Sequence, residues 1–180
     1  MILRFGDVGG GVNTLQRRLN RLGSLLLVDG RFGTGTRDAV ADARTALRIP
    51  GSADADDTFQ EALDAIGDPF PALTSAGVTF IGRCEVAGPS EYRQRYAKPC
   101  WPSATSGITI GIGYDLQFVS EQRFRADWGD RLPLDALDRL GTVTAVVGSA
   151  ARLAQVHDVR IPLATAVAVL CLGLYRASST

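Results

Sequence analysis

Two carboxylates, Glu85 and Asp115, stand where acid and base chemistry could be done. Glu85 lies in the apolar segment "VTFIGRCEVAG", and Asp115 ends the β-branched segment "ITIGIGYD". A glutamate beside Phe80, Ile81 and Val86 would be partly desolvated, which favours its protonated form. A carboxylate at the polar end of a strand would stay ionised. A proton donor and an ionised carboxylate are the two groups that hydrolysis of a glycosidic bond requires.

The elements that must position this pair are a helix and a strand. Residues 72–86 have a helical pattern that carries Glu85 near its end, and residues 107–114 are predicted to be extended. Gly111 and Gly113 alternate along the strand, where glycine allows a substrate or a neighbouring backbone to approach closely. Tyr114 could pack on a sugar ring or on the core. We therefore expect a second half that is mainly helical with a small β element, an α+β fold.

The N-terminal part of the chain predicts a separate small domain, residues 1–67. "GGVNTLQRRLNRLG" has apolar residues at helical spacing, Thr36 could cap a second helix, and a third is expected at residues 57–66. The segment "GDPFP" cannot continue a helix, because proline lacks the backbone donor. We expect a linker at residues 68–73 and a second domain at residues 74–180.

The overall composition excludes some classes of partner. Nineteen Lys and Arg balance nineteen Asp and Glu, so no global field draws the protein to nucleic acid or to an anionic membrane. No stretch reaches the roughly 18 apolar residues that span a membrane, and the most apolar run, residues 161–175, is interpreted as a buried helix. The N-terminus "MILRFGDVGGG" lacks the features of a cleaved signal peptide, which leaves the export route open. We expect a monomer.

Cysteine and histidine offer little for a metal or thiol site. Cys84, Cys100 and Cys171 are odd in number and lack metal-knuckle spacing; free thiols are favoured, and a disulfide between Cys84 and Cys100 stays open. His157 is the only histidine, whereas zinc sites usually need two or three, so it is interpreted as a residue at a helix end. A peptidase pair of Cys100 and His157 is disfavoured, because "KPCWPS" is not a helix start that would lower a thiol pKa. We predict no cofactor and no metal.

The N-terminal domain contains an ordered series of glycine, apolar and polar residues: Gly6-Asp7, Gly9, Val12, Leu15-Gln16, Leu19-Asn20, Leu22-Gly23, Asp29-Gly30, Phe32-Gly33, Thr36 and Ala39-Val40. This series resembles the peptidoglycan-binding domain of many bacterial and phage wall hydrolases. The resemblance implies a three-helix module that binds the wall polymer, with Asp29 and Phe32 as candidate ligand contacts, and it implies no chemistry. The sequence departs from the family at Ala43-Arg44, where members usually carry an aromatic residue followed by Gln, and it lacks a second Asp-Gly turn.

The second domain resembles phage-type lysozymes, and among them the muramidase domain of pesticin-like toxins. Glu85 on the first helix and the later segment "TIGIGYD" carry the resemblance. It implies Glu85 as general acid, Asp115 with Thr109 as the groups that position the attacking water, and Gly113 and Tyr114 as substrate contacts. Residues 74–180 are fewer than such lysozymes use, so an incomplete lysozyme-like domain is left open.

Together these features predict a bacteriolytic wall hydrolase, a muramidase that binds peptidoglycan and cleaves its glycan strand with a Glu/Asp pair. The expected place of action is the bacterial cell wall. The alternative is a non-catalytic peptidoglycan-binding protein whose second half keeps the strand without the activity. Sugar release that depends on Glu85 discriminates between the two.

Overall fold

A computed structural model describes residues 1–66 and 74–178 of the 180-residue chain. The chain divides into two compact units, one formed by Met1–Cys84 with Gly88–Ser90 and the other by Glu85–Ala87 with Glu91–Thr180. The predicted linker, residues 68–73, lies outside the described residues, so the domain boundary stays a prediction.

The first unit is built on three helices, α1 (Gly10–Arg21), α2 (Thr34–Leu47) and α3 (Asp57–Ala65). Helix α1 packs against both others, because its apolar residues recur every three or four positions and so share one face. Asp56 caps α3 by accepting a hydrogen bond from the Phe59 backbone N–H, at 2.8 Å. The buried core consists of Leu3, Val12, Leu15, Leu19, Leu26, Phe32, Ala39, Val40, Ala43, Ala55, Phe59 and Leu63. The three predicted helices are confirmed.

Thr36 does not cap α2, contrary to the expectation from sequence. Helix α2 begins at Thr34, so Thr36 lies in its first turn and is buried. Its hydroxyl accepts a hydrogen bond from the Gln16 side-chain amide at 3.1 Å and donates to the Arg31 carbonyl at 3.3 Å. A hydroxyl followed by an apolar helical pattern is equally compatible with a cap and with a buried polar contact.

Two further helices follow in the chain, α4 (Ser75–Val86) and α5 (Pro89–Arg95). Pro89 is compatible with the first position of α5, because the N–H of that position has no partner within a helix. Residues 107–114 do not form the single strand that we predicted. They contribute to a hairpin in which β1 (Thr109–Ile110) pairs antiparallel with β2 (Tyr114–Asp115).

After the hairpin come a 3-10 turn (Leu116–Phe118) and four helices, α6 (Glu121–Trp128), α7 (Leu134–Gly141), α8 (Ala150–Val156) and α9 (Leu163–Ser178). Helix α6 packs against α7 and α9, and α7 packs against α8. Large side chains that are fully buried in this unit include Tyr92, Ile108, Ile110, Leu116, Phe124 and Trp128.

The predicted fold class, mainly α with a small β element, is confirmed. The apolar run at residues 161–175 falls largely within α9, as expected for a helix. Within the described part of the chain, no helix is both long and apolar enough to cross a membrane.

Candidate functional site

The hairpin brings Thr109 and Asp115 together. The two residues face each other across the β1 and β2 strands, and directly opposed residues of an antiparallel pair project from the same face. The turn between the strands contains Gly111 with φ of 58° and Gly113 with φ of 70°. Glycine adopts this left-handed region without the steric penalty that a Cβ atom brings. The two glycines therefore make the turn that sets the hydroxyl and the carboxylate side by side.

Backbone donors hold the Asp115 carboxylate in place. Its Oδ1 accepts hydrogen bonds from the N–H of Gln117 at 2.9 Å and of Gly107 at 3.1 Å, and its Oδ2 lies 3.2 Å from the Gly107 nitrogen. Position 107 has no space for a side chain, because a Cβ atom there would lie 2.3 Å from Asp115 Oδ1. The carboxylate is therefore held in a fixed orientation, and Asp115 as a residue is only half-buried.

Glu85 belongs to a different element. It is the next-to-last residue of α4 and lies in the same compact unit as the hairpin. The expectation that it is partly desolvated is wrong for the free protein, because Glu85 is exposed and Phe80 is 70% exposed. The apolar segment around Glu85 is helical, so its residues point to several sides of the helix and do not enclose the carboxylate.

Tyr114 joins the hairpin to α6. Its ring meets the Trp128 ring edge-on, with 5.4 Å between the centroids, and its hydroxyl donates to Asp127 Oδ2 at 2.9 Å. Burial raises the pKa of Tyr114, and the neighbouring Asp127 carboxylate raises it further. Tyr114 is thus a half-buried structural contact whose exposed part lines a groove.

Asp127 is a buried carboxylate at the junction of α6, α9 and the hairpin. Besides the Tyr114 hydroxyl, it accepts hydrogen bonds from Arg123 Nε at 2.9 Å and from Arg176 Nη1 at 2.7 Å. Burial by itself would raise the pKa of Asp127, but the bonds from Arg176, Tyr114 and Arg123 outweigh it, so this pKa lies below its usual range. The sequence reasoning missed this cluster. The i,i+4 spacing of Arg123 and Asp127 was visible, whereas Arg176 is 49 positions away and only the fold brings it close.

A groove of about 470 Å³ runs beside the hairpin tip. Gly113, also predicted to contact substrate, is exposed at its rim and has open space around it. The groove is lined mainly by apolar side chains, and its ionisable residues are Tyr114 and the cluster of Arg123, Asp127 and Arg176.

The two ligand contacts predicted in the first unit have structural roles. Phe32 is 1% exposed and packs in the core, so its side chain is not available to a ligand, which corrects that expectation. Asp29 is exposed, but its carboxylate accepts hydrogen bonds from the Gln16 amide at 2.8 Å and the Arg31 N–H at 2.9 Å. The Gln16 bond, followed by the Arg31 bond, lowers the pKa of Asp29. Asp29 therefore stabilises the turn that precedes Arg31, while the residue itself remains exposed to solvent.

Arg44, one of the residues at which this chain departs from the family pattern, has a structural role in the first unit. Its guanidinium is buried, lies 4.8 Å from the centroid of the Phe59 ring and donates to the carbonyls of Pro50 at 2.9 Å and Asp54 at 2.8 Å. It also pairs with the Asp56 carboxylate at 2.5 Å. One guanidinium thus holds the loop between α2 and α3, where the second Asp-Gly turn is missing.

The remaining reactive residue types show no arrangement for metal or thiol chemistry. The three cysteines are free thiols, and burial raises the pKa of Cys100, which opposes formation of a nucleophilic thiolate. His157 is exposed at the end of α8, with its Nδ1 2.8 Å from the Ala154 carbonyl. Within residues 1–66 and 74–178, no group of three or more His, Cys, Asp or Glu side chains could hold a metal ion.

Comparison with known proteins gives two matches, one to a solved structure and one to a domain family. A solved structure, the endolysin of the Burkholderia AP3 phage, is 24% identical to this chain over 86% of it and 60% of the endolysin, with a TM-score of 0.32. The chain therefore spans less than two thirds of that relative's length. No curated protein matches it. Residues 8–63 match the family described as putative peptidoglycan binding domain, which confirms the domain that the resemblance predicted at the N-terminus.

Proposed function

We propose that this chain is a cell-wall hydrolase that binds peptidoglycan through its N-terminal domain and cleaves the glycan strand with Glu85 and Asp115. The observation that carries the proposal is the hairpin, where Asp115 and Thr109 are opposed and backbone donors orient the carboxylate. A hydroxyl and a carboxylate on one face can both hydrogen-bond a single water molecule. Glu85 supplies the proton to the leaving oxygen.

The exposure of Glu85 in the free protein is compatible with a role as general acid. A sugar bound over Glu85 would displace the water around its carboxyl group and place that group against the leaving oxygen. Substrate binding would thus supply the desolvation that the free protein lacks.

The N-terminal domain contributes by tethering. Binding of residues 8–63 to the wall polymer raises the local concentration of scissile bonds around the second unit without adding contacts at the cleavage site. We expect the domain to increase hydrolysis of insoluble wall more than hydrolysis of short soluble glycans.

The second candidate is a binding protein without hydrolase activity. It is favoured by the contacts of Asp115, because the bond from the Gln117 N–H is the one that caps the following 3-10 turn. An aspartate that only stabilises a turn makes the same hydrogen bonds as one that also positions water.

The decisive experiment measures new reducing sugar ends released from purified insoluble peptidoglycan by the intact protein and by Glu85→Gln. We expect the variant to lose roughly 10²- to 10⁴-fold in rate, the usual contribution of general acid catalysis. Glu91→Gln is the matched control, since Glu91 makes a surface ion pair with Arg95 at 2.7 Å and such pairs contribute little. If neither the intact protein nor the control releases sugar, while the intact protein and both variants pellet with the wall, the chain is a binding protein without hydrolase activity.

A further inference from the structure

The groove beside the hairpin contains an unbalanced pair of arginines. Arg123 on α6 and Arg176 on α9 both donate to the single carboxylate of Asp127. The Asp127 side chain is 4% exposed, whereas those of Arg123 and Arg176 are 47% and 39% exposed. The negative charge is therefore inside, and both positive charges reach the groove surface.

The arginines have hydrogen-bonding capacity left over. A guanidinium carries five N–H donors, and the bonds among described residues account for one donor of Arg123 and one of Arg176. Two positive charges and one negative charge leave the groove lining with a net charge of +1. The donors that the described residues leave unused on the two guanidiniums suit a second carboxylate, because the fork of Arg matches the two oxygens of that group.

The rest of the groove is apolar. Its other lining residues bear no charge, and Phe118, at the rim, is 77% exposed. A ligand that complements this groove would therefore combine a carboxylate with apolar groups. The apolar lining side chains are Ile112, Phe118, Val119, Ala166, Val169, Leu170 and Leu174.

We propose that this groove binds the carboxylate end of the short peptide branches of peptidoglycan. The terminal alanines of these peptides combine small apolar side chains with a free carboxylate, and the inference rests on the proposed function for the identity of the polymer. Successive side chains of a strand point to opposite faces, so Tyr114 faces the groove while Asp115 faces away from it. The glycan strand and its peptide branch would then contact two faces of one hairpin.

The test uses N-acetyl-D-alanyl-D-alanine and its C-terminal amide as probes on the full chain, with backbone amide NMR shifts as the readout. We expect the acid to shift resonances around the groove, and the amide to bind roughly tenfold more weakly, about the value of one charge-assisted hydrogen bond. Arg123→Gln should weaken binding of the acid by a similar factor. Arg123→Lys should fall between, because it keeps the charge and loses the fork.

Arg152→Gln is the control, since Arg152 is exposed on α8 outside the groove. Equal binding of acid and amide, equal weakening by Arg152→Gln, or shifts that avoid the groove would overturn the inference. A denaturation midpoint for each variant separates loss of the Asp127 contact from loss of binding.

The sugar-release assay distinguishes the two proposals. Release that depends on Glu85, with no selective binding of the acid, means that the groove inference fails alone. Selective binding of the acid without any release means that the hydrolase proposal fails and the groove stands as a wall-peptide site.

Discussion

Replacement of Asp127 by Asn tests whether one buried carboxylate holds three elements of the second unit together. Asn has nearly the same shape, so the packing around Trp128 is preserved. The substitution removes the charge that two guanidiniums share. The amide nitrogen of Asn is itself a donor, and it would face a donor where the carboxylate oxygen accepted a bond. Asp127 accepts bonds from α9, the hairpin and its own helix, so the loss affects all three.

The expected cost follows from the burial of the partners. Hydrogen bonds to charged groups contribute about 1.5–3 kcal/mol each, and removing one member of a fully buried ion pair costs about 3–5 kcal/mol. Both arginines are partly exposed and can regain water, so the lower part of that range applies. We expect Asp127→Asn to lower the free energy of unfolding by about 3 kcal/mol, or roughly 12–24 °C in midpoint for a unit of this size.

The effect must also depend on pH in a defined direction. The pKa of Asp127 is lower in the folded protein than in the unfolded chain. Its contribution is therefore fully present above the unfolded-state value of about 4 and is lost as the pH falls through the folded-state value. The difference in stability between the wild-type protein and Asp127→Asn should shrink as the pH is lowered below about 4.

Urea denaturation followed by tryptophan fluorescence measures this difference, because both tryptophans, Trp101 and Trp128, lie in the second unit. Asp158→Asn is the control, since Asp158 is 58% exposed and pairs with Arg139, a contact that holds the pKa of Asp158 at about 2. The reasoning is refuted if Asp127→Asn is no more destabilising than Asp158→Asn, or if its effect is the same at pH 3 and pH 7.

Three other outcomes follow from single contacts. Arg44→Met should destabilise the first unit by about 2–3 kcal/mol, because the loop carbonyls lose a buried donor; circular dichroism melts check this, and an Arg44→Lys variant as stable as wild type would contradict it. Gly107→Ala should cost roughly 1–3 kcal/mol by forcing its Cβ against Asp115, and more than Gly113→Ala, which meets only backbone strain; equal denaturation midpoints would be inconsistent with this. At pH 8 a thiol reagent that reacts by disulfide exchange should modify the exposed Cys84 rapidly and the other two cysteines slowly, because burial raises the pKa of Cys100 and Cys171. Equally fast reaction of all three thiols would show that this burial is not maintained.

Local patterns in the sequence determined the helices of the first unit and the fold class. The apolar residues of α1 recur at helical spacing, so the sequence alone predicts both the helix and the face that it buries. The match to the peptidoglycan-binding family includes this segment. The residues of the candidate hairpin were also visible, because "TIGIGYD" is a short contiguous motif. Its turn was missed, because two glycines in an extended run are compatible with either a flat strand or a bend.

Only the tertiary structure decided the environment of each charged group. Phe32 was expected to contact a ligand but is buried, and Glu85 was expected to be partly desolvated but is exposed. Burial depends on what packs against a helix or turn from elsewhere in the chain. The buried Arg44 anchor includes hydrogen bonds to residues up to 12 positions away, and Arg176 in the Asp127 cluster lies 49 positions from Asp127. No local sequence pattern predicts such contacts. The sequence by itself determined which residues could do chemistry, and the fold decided which of them share a surface, because hydrophobic periodicity is local whereas hydrogen-bond partners and desolvation are set by long-range packing.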